Sequence, residues 1–342
     1  MVNKREQGIY LTQKNPFDIA PFQEWIAAIE KSNNSLTICE PYAGENHLLK
    51  HLYSVAPNIM EQSDIVAYDI NADNENNIFP RVQIQQEDTL FYIPTESDLI
   101  ITNPPYLGRN SARRRKIDFP YDYIGAGIER PQDLYQICLD TCLASCRWLA
   151  AIIPESFLTS KYSKSHLEKV ISLKGDLFQD TDIPVCLALF SSNIFHDFSI
   201  YDNEGIYIGR WTELQDINNT ILSEPANPSF QFNSTKGQTG LRGVDNSKEA
   251  SIEFCSPEAI DVKYIKPSSR NLTRIYIPNF PMRYQSDIIS AANEELYYWR
   301  QQTNDIYLTA FKGTRQDGKY RRRLSFKIAN MILGKVLRDF QI

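Results

Sequence analysis

Apolar and polar positions in the first half of this chain follow two alternating periods. Residues 19–29 place apolar side chains at roughly helical spacing, and 36–40 then form a short apolar run of strand type. A polar turn with Gly44 leads into 47–55, where Leu48, Leu49, Leu52 and Val55 make a helical stripe. Further strands are predicted at 64–70, 81–85 and 98–102, separated by the Asn-, Asp- and Glu-rich loop 71–80 and a polar connection. A helix buried along one face follows at 133–148, then a buried strand at 149–153, a weaker helix at 164–173 and a strand at 182–190. The sheet comes to roughly seven strands, and their alternation with helices predicts an α/β fold.

After Phe190 the pattern changes. Strand-like pieces at 205–209 and 274–278 are set among polar segments, 218–250 is rich in Asn, Ser, Gly and Pro, and 294–302 and 324–337 are predicted helices. A chain of 342 residues is long enough for two domains. The expected division is 1–204 and 205–342. Nothing in the second part matches a named DNA-reading module.

Charge adds a distinction that the pattern does not carry. The net charge is −6, yet residues 311–342 hold nine Lys or Arg against two Asp. A second basic cluster, Arg109, Arg113, Arg114, Arg115 and Lys116, lies just past residue 106. Either is a solvated face or a nucleic-acid contact. No apolar signal core follows Met1, and no segment reaches membrane-spanning length. The expectation is a soluble cytoplasmic protein that contacts no membrane. Cys138, Cys142 and Cys146 share one helical face but lack nearby histidines, so the cysteines are expected to be reduced core residues with no metal site.

The candidate chemistry gathers at predicted strand ends. Asn103-Pro104-Pro105-Tyr106 closes the strand 98–102, and the two prolines stop the ladder there. The Asn103 side-chain oxygen and the Pro104 carbonyl can each accept one proton of an exocyclic amine, and Tyr106 can cover a planar ring. The competing reading is a Pro-rich turn with a packed tyrosine. Strand, Gly44 turn and helix make a nucleotide-sized cradle whose turn can present N–H groups, but one glycine is neither a dinucleotide fingerprint nor a P-loop. Asp69, at the next strand end, can hold a ribose diol or cap a turn; Asp88 can accept from an adenine amine.

Glu40-Pro41-Tyr42-Ala43-Gly44, Asp69, Asp88 and Asn103-Pro104-Pro105-Tyr106 occur in the order seen in N6-adenine DNA methyltransferases of restriction–modification systems. The chain resembles their gamma arrangement, in which the cofactor motif precedes the catalytic motif. The segments 130–136 and 148–158 are also similar, so the resemblance covers roughly residues 8–190. It departs at Glu45, where the family often has a glycine or a small residue, which leaves the shape of that turn open.

The resemblance implies a Rossmann-like S-adenosylmethionine-dependent methyltransferase core. Its sheet would be mixed, mostly parallel and seven-stranded, with a C-terminal target-recognition domain behind it. It implies that Thr12, Glu40, Pro41, Ala43, Gly44, Asp69, Asp88 and Asn103 bind S-adenosylmethionine, leaving S-adenosylhomocysteine as product. Asn103, Pro104 and Tyr106 would be catalytic, with Tyr106 and Phe178 stacking on a flipped adenine. The loop 109–130 would order on DNA, with Arg109, Arg113, Arg114, Arg115, Lys116, Arg321, Arg322 and Arg323 as DNA contacts. The expected partner is duplex DNA. A restriction endonuclease would be paired functionally without a required complex, and the protein is expected to be a monomer needing no metal. A protein glutamine-amide methyltransferase and an rRNA adenine methyltransferase use similar logic and remain alternatives. A non-enzymatic DNA-binding module would leave the N-terminal constellation unused.

Overall fold

The computed structural model describes residues 14–173, 184–223, 225–246, 250–267, 269, 271–303, 305 and 322–340. The chain forms two compact units, Met1–Arg210 and Trp211–Ile342.

The first unit runs α1 (Ala20–Ser32), β1 (Thr37–Glu40), α2 (His47–Val55), α3 (Pro57–Gln62), β2 (Asp64–Asp69), β3 (Ile84–Gln86) and β4 (Ser97–Thr102). It continues through α4 (Arg109–Arg115), α5 (Tyr135–Ala144), β5 (Cys146–Pro154), β6 (Leu167–Leu173), β7 (Val185–Ser191), β8 (Ser199–Tyr201) and β9 (Tyr207–Arg210). Among the described residues the strands form one nine-stranded sheet in the order β3-β2-β1-β4-β5-β7-β6-β8-β9. From β3 to β5 every neighbour is parallel, and β7 then runs antiparallel to both β5 and β6. Leu99, Ile100 and Ile101 are consecutive and fully buried, as are Ala151, Ile152 and Ile153. Such unbroken apolar runs belong to strands covered on both faces.

The sequence expectation of an α/β fold with a mixed, mostly parallel sheet holds. The count of seven strands does not, because β8 and β9 extend the sheet beyond β6. The helix predicted at 164–173 is the strand β6 instead. Its register shifts between Leu167 and Lys169 while Leu167, Val170 and Ile171 are all buried. A bulge in a strand thus produces the i, i+3, i+4 spacing that imitates a helix. The predicted loop 109–130 opens with the short helix α4, and the helix predicted to reach residue 148 ends at Ala144, with β5 already under way at Cys146. No helix among the described residues is long and apolar enough to cross a membrane.

The position of β1 decides where chemistry can occur. It lies between β2 and β4, so the chain leaves β1 in opposite directions along the sheet. Such a switch point opens a crevice at the carboxyl ends of the strands, here at Glu40, Asp69 and the residues after Thr102.

The second unit runs α6 (Trp211–Ser223), β10 (Gln231–Phe232), β11 (Thr239–Arg242), β12 (Glu253–Cys255), β13 (Leu272–Tyr276), α7 (Gln285–Thr303) and α8 (Phe326–Asp339). Its sheet is antiparallel in the order β10-β13-β11-β12. Leu241, Phe254 and Ile275 from the strands pack with Ile288 and Ala292 of α7 and Leu333 of α8 in one core. The α8 stripe is capped by Ser325, whose hydroxyl accepts from the Ile328 N–H at 3.2 Å. Inside the unit, Arg300 forks onto Asp245 at 3.1 and 2.8 Å and reaches Asp305 at 2.7 Å.

Candidate active site

The turn after β1 is built by two residues in the left-handed region, Gly44 (φ 56) and Asn46 (φ 64). Asn46 is fully buried, and its side-chain amide donates to Asn77 Oδ1 at 3.0 Å and to the Val82 carbonyl at 3.1 Å. These bonds fix the start of α2. The turn keeps much of its own hydrogen-bonding capacity. Ala43 N donates to Tyr68 O at 2.8 Å, Gly44 N to Asp69 Oδ2 at 2.9 Å, and Asn46 N to Ala43 O at 2.8 Å. The sequence expectation of a turn presenting N–H groups to a ligand is therefore corrected for these three amides.

Glu40, the last residue of β1, is 2% exposed, and its Oε2 has no hydrogen-bond partner. Burial pushes its carboxyl well above the ordinary carboxylate range, and the nearby Asp69 adds to the rise. A buried acid with an unsatisfied oxygen asks for a donor or a cation. Asp69 closes β2 and is half-buried; besides Gly44 N, it accepts from Asn71 N at 2.8 Å. Asp88 is exposed and accepts from Leu90 N at 3.1 Å. Pro41 contributes its carbonyl, which accepts from the buried Thr89 hydroxyl.

Asn103 leaves β4 at the same edge. The Tyr106 hydroxyl lies 2.6 Å from Asn103 Oδ1 and 2.7 Å from the Ile152 carbonyl oxygen, so one proton is offered to two acceptors. Tyr106 is 7% exposed, and its ring packs edge-on against Tyr135 with centroids 6.3 Å apart. The exit from the motif is held by Asp133, whose Oδ1 accepts from Leu107 N at 2.9 Å. Burial pushes the Asp133 carboxyl up to about 7 despite the backbone donors around it.

One cavity of about 420 Å³ opens at these strand ends; Pro41, Asn46 and Asp133 do not line it. Glu40, Ala43, Gly44, Asp69, Asp88 and Asn103 all line it, together with His47, Asn71, Glu87 and Thr89. Pro105 lines it in place of Pro104, and Tyr106 faces the interior instead. Ile117 and Asp118, from the segment just after the basic helix, complete the wall. A small apolar cluster of Leu107, Ala112 and Phe119, with Ile117 and Tyr121 packed against it, seats that segment there. Within α4, Arg113, Arg114 and Arg115 are exposed, as is Lys116 behind them, while Arg109 is half-buried over the Tyr121 ring at 5.1 Å. Asn46, His47 and Asp118 were not singled out by sequence. His47 carried a signal, being the polar residue that opens the helix after the Gly44 turn.

Other predicted site residues lie elsewhere. Thr12, Phe178 and Arg321 fall outside the described residues. In the second unit Arg322 is half-buried, with Nη1 donating to the Asp305 carbonyl at 2.9 Å, and Arg323 pairs as a β-bridge with Val244. Among the described residues no group of three or more His, Cys, Asp or Glu side chains is arranged to hold a metal ion.

No curated protein matches the chain. Among solved structures, a type I restriction-modification methyltransferase subunit from Streptococcus thermophilus is similar at 16% identity and TM-score 0.42, over 73% of this chain and 56% of that one. The type IIG restriction endonuclease BpuSI is similar at 17% identity and TM-score 0.40, over 58% of this chain. DrdV, in a DNA complex, is similar at 14% identity and TM-score 0.46, also over 58%. This chain spans about half of the Streptococcus subunit's length and 28% of each of the other two. Residues 11–195, just over half of the 342, match the model of the Eco57I restriction-modification methylase, and the chain belongs to that methyltransferase family.

Proposed function

We propose that this protein transfers a methyl group from S-adenosylmethionine to the N6 amine of an adenine in duplex DNA, protecting its site from a cognate endonuclease. The observation that carries the reading is the single cavity lined together by Glu40, Gly44, Asp69, Asp88 and Asn103. Its volume of about 420 Å³ lies within the usual range for small-molecule sites.

The residues fit this cofactor. The unsatisfied Glu40 Oε2 suits an ammonium, as the methionine end carries. Asp69 suits ribose hydroxyls, since each of its oxygens keeps a lone pair beyond the backbone bond it accepts. Asp88 suits the adenine amine. When bound, the cofactor supplies a methyl group activated by its sulfonium sulfur.

The chain's own contribution is positioning. An amine conjugated to adenine is a weak nucleophile. Asn103 Oδ1 accepts a hydrogen bond from one amine N–H. The Pro104 carbonyl, which does not itself line the cavity, would have to turn toward it to accept from the other, so that the nitrogen is drawn out of the ring plane. The methyl–sulfur bond breaks as the methyl–nitrogen bond forms, and the one N–H proton lost on methylation passes to solvent. The Tyr106 hydroxyl, on Asn103 Oδ1, fixes the direction from which that oxygen acts. For Tyr106 to stack on the base as well, its ring must turn away from Tyr135 and Ile152. The target must leave the duplex to reach such a pocket. The exposed Arg113, Arg114, Arg115 and Lys116 sit one short segment from the cavity wall and suit the phosphates on either side of it. Thr12 at the methionine end, Phe178 at the target base and Arg321 at phosphate belong to the same proposal. So does sequence recognition by residues 205–342.

Tritium transfer from labelled S-adenosylmethionine to duplex DNA, followed by nucleoside analysis, tests the reading. N6-methyladenine is expected. N4-methylcytosine would keep the mechanism and overturn the base; label in a protein glutamine, with none in DNA, would overturn the substrate.

A further inference from the structure

After Tyr106 the chain makes an excursion, residues 107–128, before it reaches α5. The excursion carries the exposed basic residues of α4, then Ile117 and Asp118 on the cavity wall. A connection this long keeps its middle in one position only if both ends are fastened, because the ordering entropy must be offset by contacts.

The near end is fastened just before α5. Leu107 N donates to Asp133 Oδ1 at 2.9 Å, Leu134 N to the Leu107 carbonyl at 3.1 Å, and Arg109 N to the Gln132 carbonyl at 2.8 Å. The far end is fastened by Asp140 of α5, about two helical turns further along. Asp140 is 8% exposed and accepts from Gly127 N at 2.9 Å, from the Tyr123 hydroxyl at 3.2 Å and from the Tyr162 hydroxyl at 2.7 Å. Gly125 and Gly127 let the backbone press against this carboxylate. A Cβ at Gly125 would stand 1.8 Å from Asp140 Oδ2, and one at Gly127 would stand 2.5 Å from Oδ1. The next residue of α5, Thr141, donates its hydroxyl at 2.7 Å to the carbonyl of Leu90, which lines the same cavity. Asp140 does not line that cavity itself. Of its three donors, Gly127 and Tyr123 belong to the excursion, and Tyr162 belongs to the chain after β5.

We propose that Asp140 is a positioning residue for methyl transfer: it clasps the far end of the excursion 107–128 to α5 and so holds Ile117 and Asp118 on the cavity wall with α4 one short step away. The inference rests on the DNA-methylation reading above and adds a residue that acts without touching cofactor or base. Bonds to a buried carboxylate suit the task, being stronger and more directional than bonds between neutral groups.

The test joins hydrogen exchange of the full chain, read by mass spectrometry, to single-turnover methyl transfer to DNA at saturating S-adenosylmethionine. Asp140→Ala should speed exchange across 107–128 by about 10-fold or more and leave the amides of β5 and β7 unchanged, which shows that the sheet is folded. Transfer should fall by about 10- to 100-fold, the range for hydrogen bonds to a charged group. Asp140→Asn keeps an oxygen for the Gly127 N–H and should recover most of that loss. Two further variants each remove one hydroxyl from the same carboxylate. Tyr123→Phe, on the excursion, should slow transfer by about 3- to 10-fold. Tyr162→Phe, outside it, should lower the denaturation midpoint and leave transfer within about twofold of the parent's. Equal slowing by these two variants would mean a structural role and overturn the inference, as would faster exchange in Asp140→Ala with transfer unchanged. If the parent protein methylates no DNA, the functional reading itself fails and the inference falls with it.

Discussion

Glu40 in the first unit and Asp245 in the second are both buried acids, 2% and 6% exposed, in opposite surroundings. Asp245 accepts two N–H groups from Arg300 and two backbone N–H groups, from Ser251 and Ile252. Its charge is met on every side within the unit. Glu40 has an oxygen with no partner, stands on a cavity wall, and has its carboxyl held well above the ordinary range by burial. A folded chain tolerates the first arrangement because the charges are paired and hydrogen-bonded. The second costs free energy unless something else arrives to complete it. A buried acid alone therefore marks nothing; a buried acid that is incomplete and faces a cavity is a candidate binding group.

Removing each charge separately should divide stability from binding. Arg300→Met leaves the buried Asp245 without the guanidinium it pairs with, and chemical denaturation should show a loss of about 3–5 kcal/mol. Its affinity for S-adenosylmethionine should be unchanged, because the Arg300 cluster belongs to the second unit. Glu40→Gln should do the reverse. Stability should hold or rise, since a buried acid is removed, while calorimetry should show S-adenosylmethionine binding weakened about 10- to 100-fold. A Glu40→Gln protein that unfolds but binds normally when folded would reverse the contrast.

A smaller effect sharpens the role of Tyr106. Tyr106→Phe keeps the ring and removes the hydroxyl that lies against Asn103 Oδ1 and the Ile152 carbonyl. Stacking on a target base alone would leave the transfer rate unchanged. Anchoring of Asn103 predicts a rate lower by about 3- to 10-fold, the worth of one neutral hydrogen bond, with unchanged DNA affinity.

The sequence carried the strand ends well. Glu40, Asp69 and Asn103 were read as acids and an amide at the ends of strands, and those three ends meet at the switch point around β1. The helix 47–55 was legible to its boundaries because Leu48, Leu49 and Leu52 give an uninterrupted stripe. What failed depended on events outside a local window. The bulge in β6 disguised a strand as a helix, and the three-residue β8 is too short to show a period of its own; the strand-like piece at 205–209, which overlaps β9, carries no local sign that it joins the first sheet. Two readings of the site were beyond the sequence for a related reason. That the turn's amides donate to Tyr68 and Asp69 depends on the pairing of β1 with β2, residues far apart in the chain. That Tyr106 turns inward depends on Ile152 and Tyr135, brought beside it by β5 and α5.

In the proposed mechanism Asn103 acts chiefly on the amine in the reacting complex, and of the cavity's lining residues Glu40, Asp69 and Asp88 carry most of the cofactor's affinity. Its most direct test is the single-turnover rate of tritium transfer to DNA by Asn103→Ala, at saturating S-adenosylmethionine, beside the cofactor's affinity for the same variant. Losing one acceptor that matters most as the nitrogen pyramidalises should slow transfer by about 100-fold or more. Cofactor affinity should stay within about threefold of the parent's. A variant that transfers methyl at a near-parental rate would contradict the account.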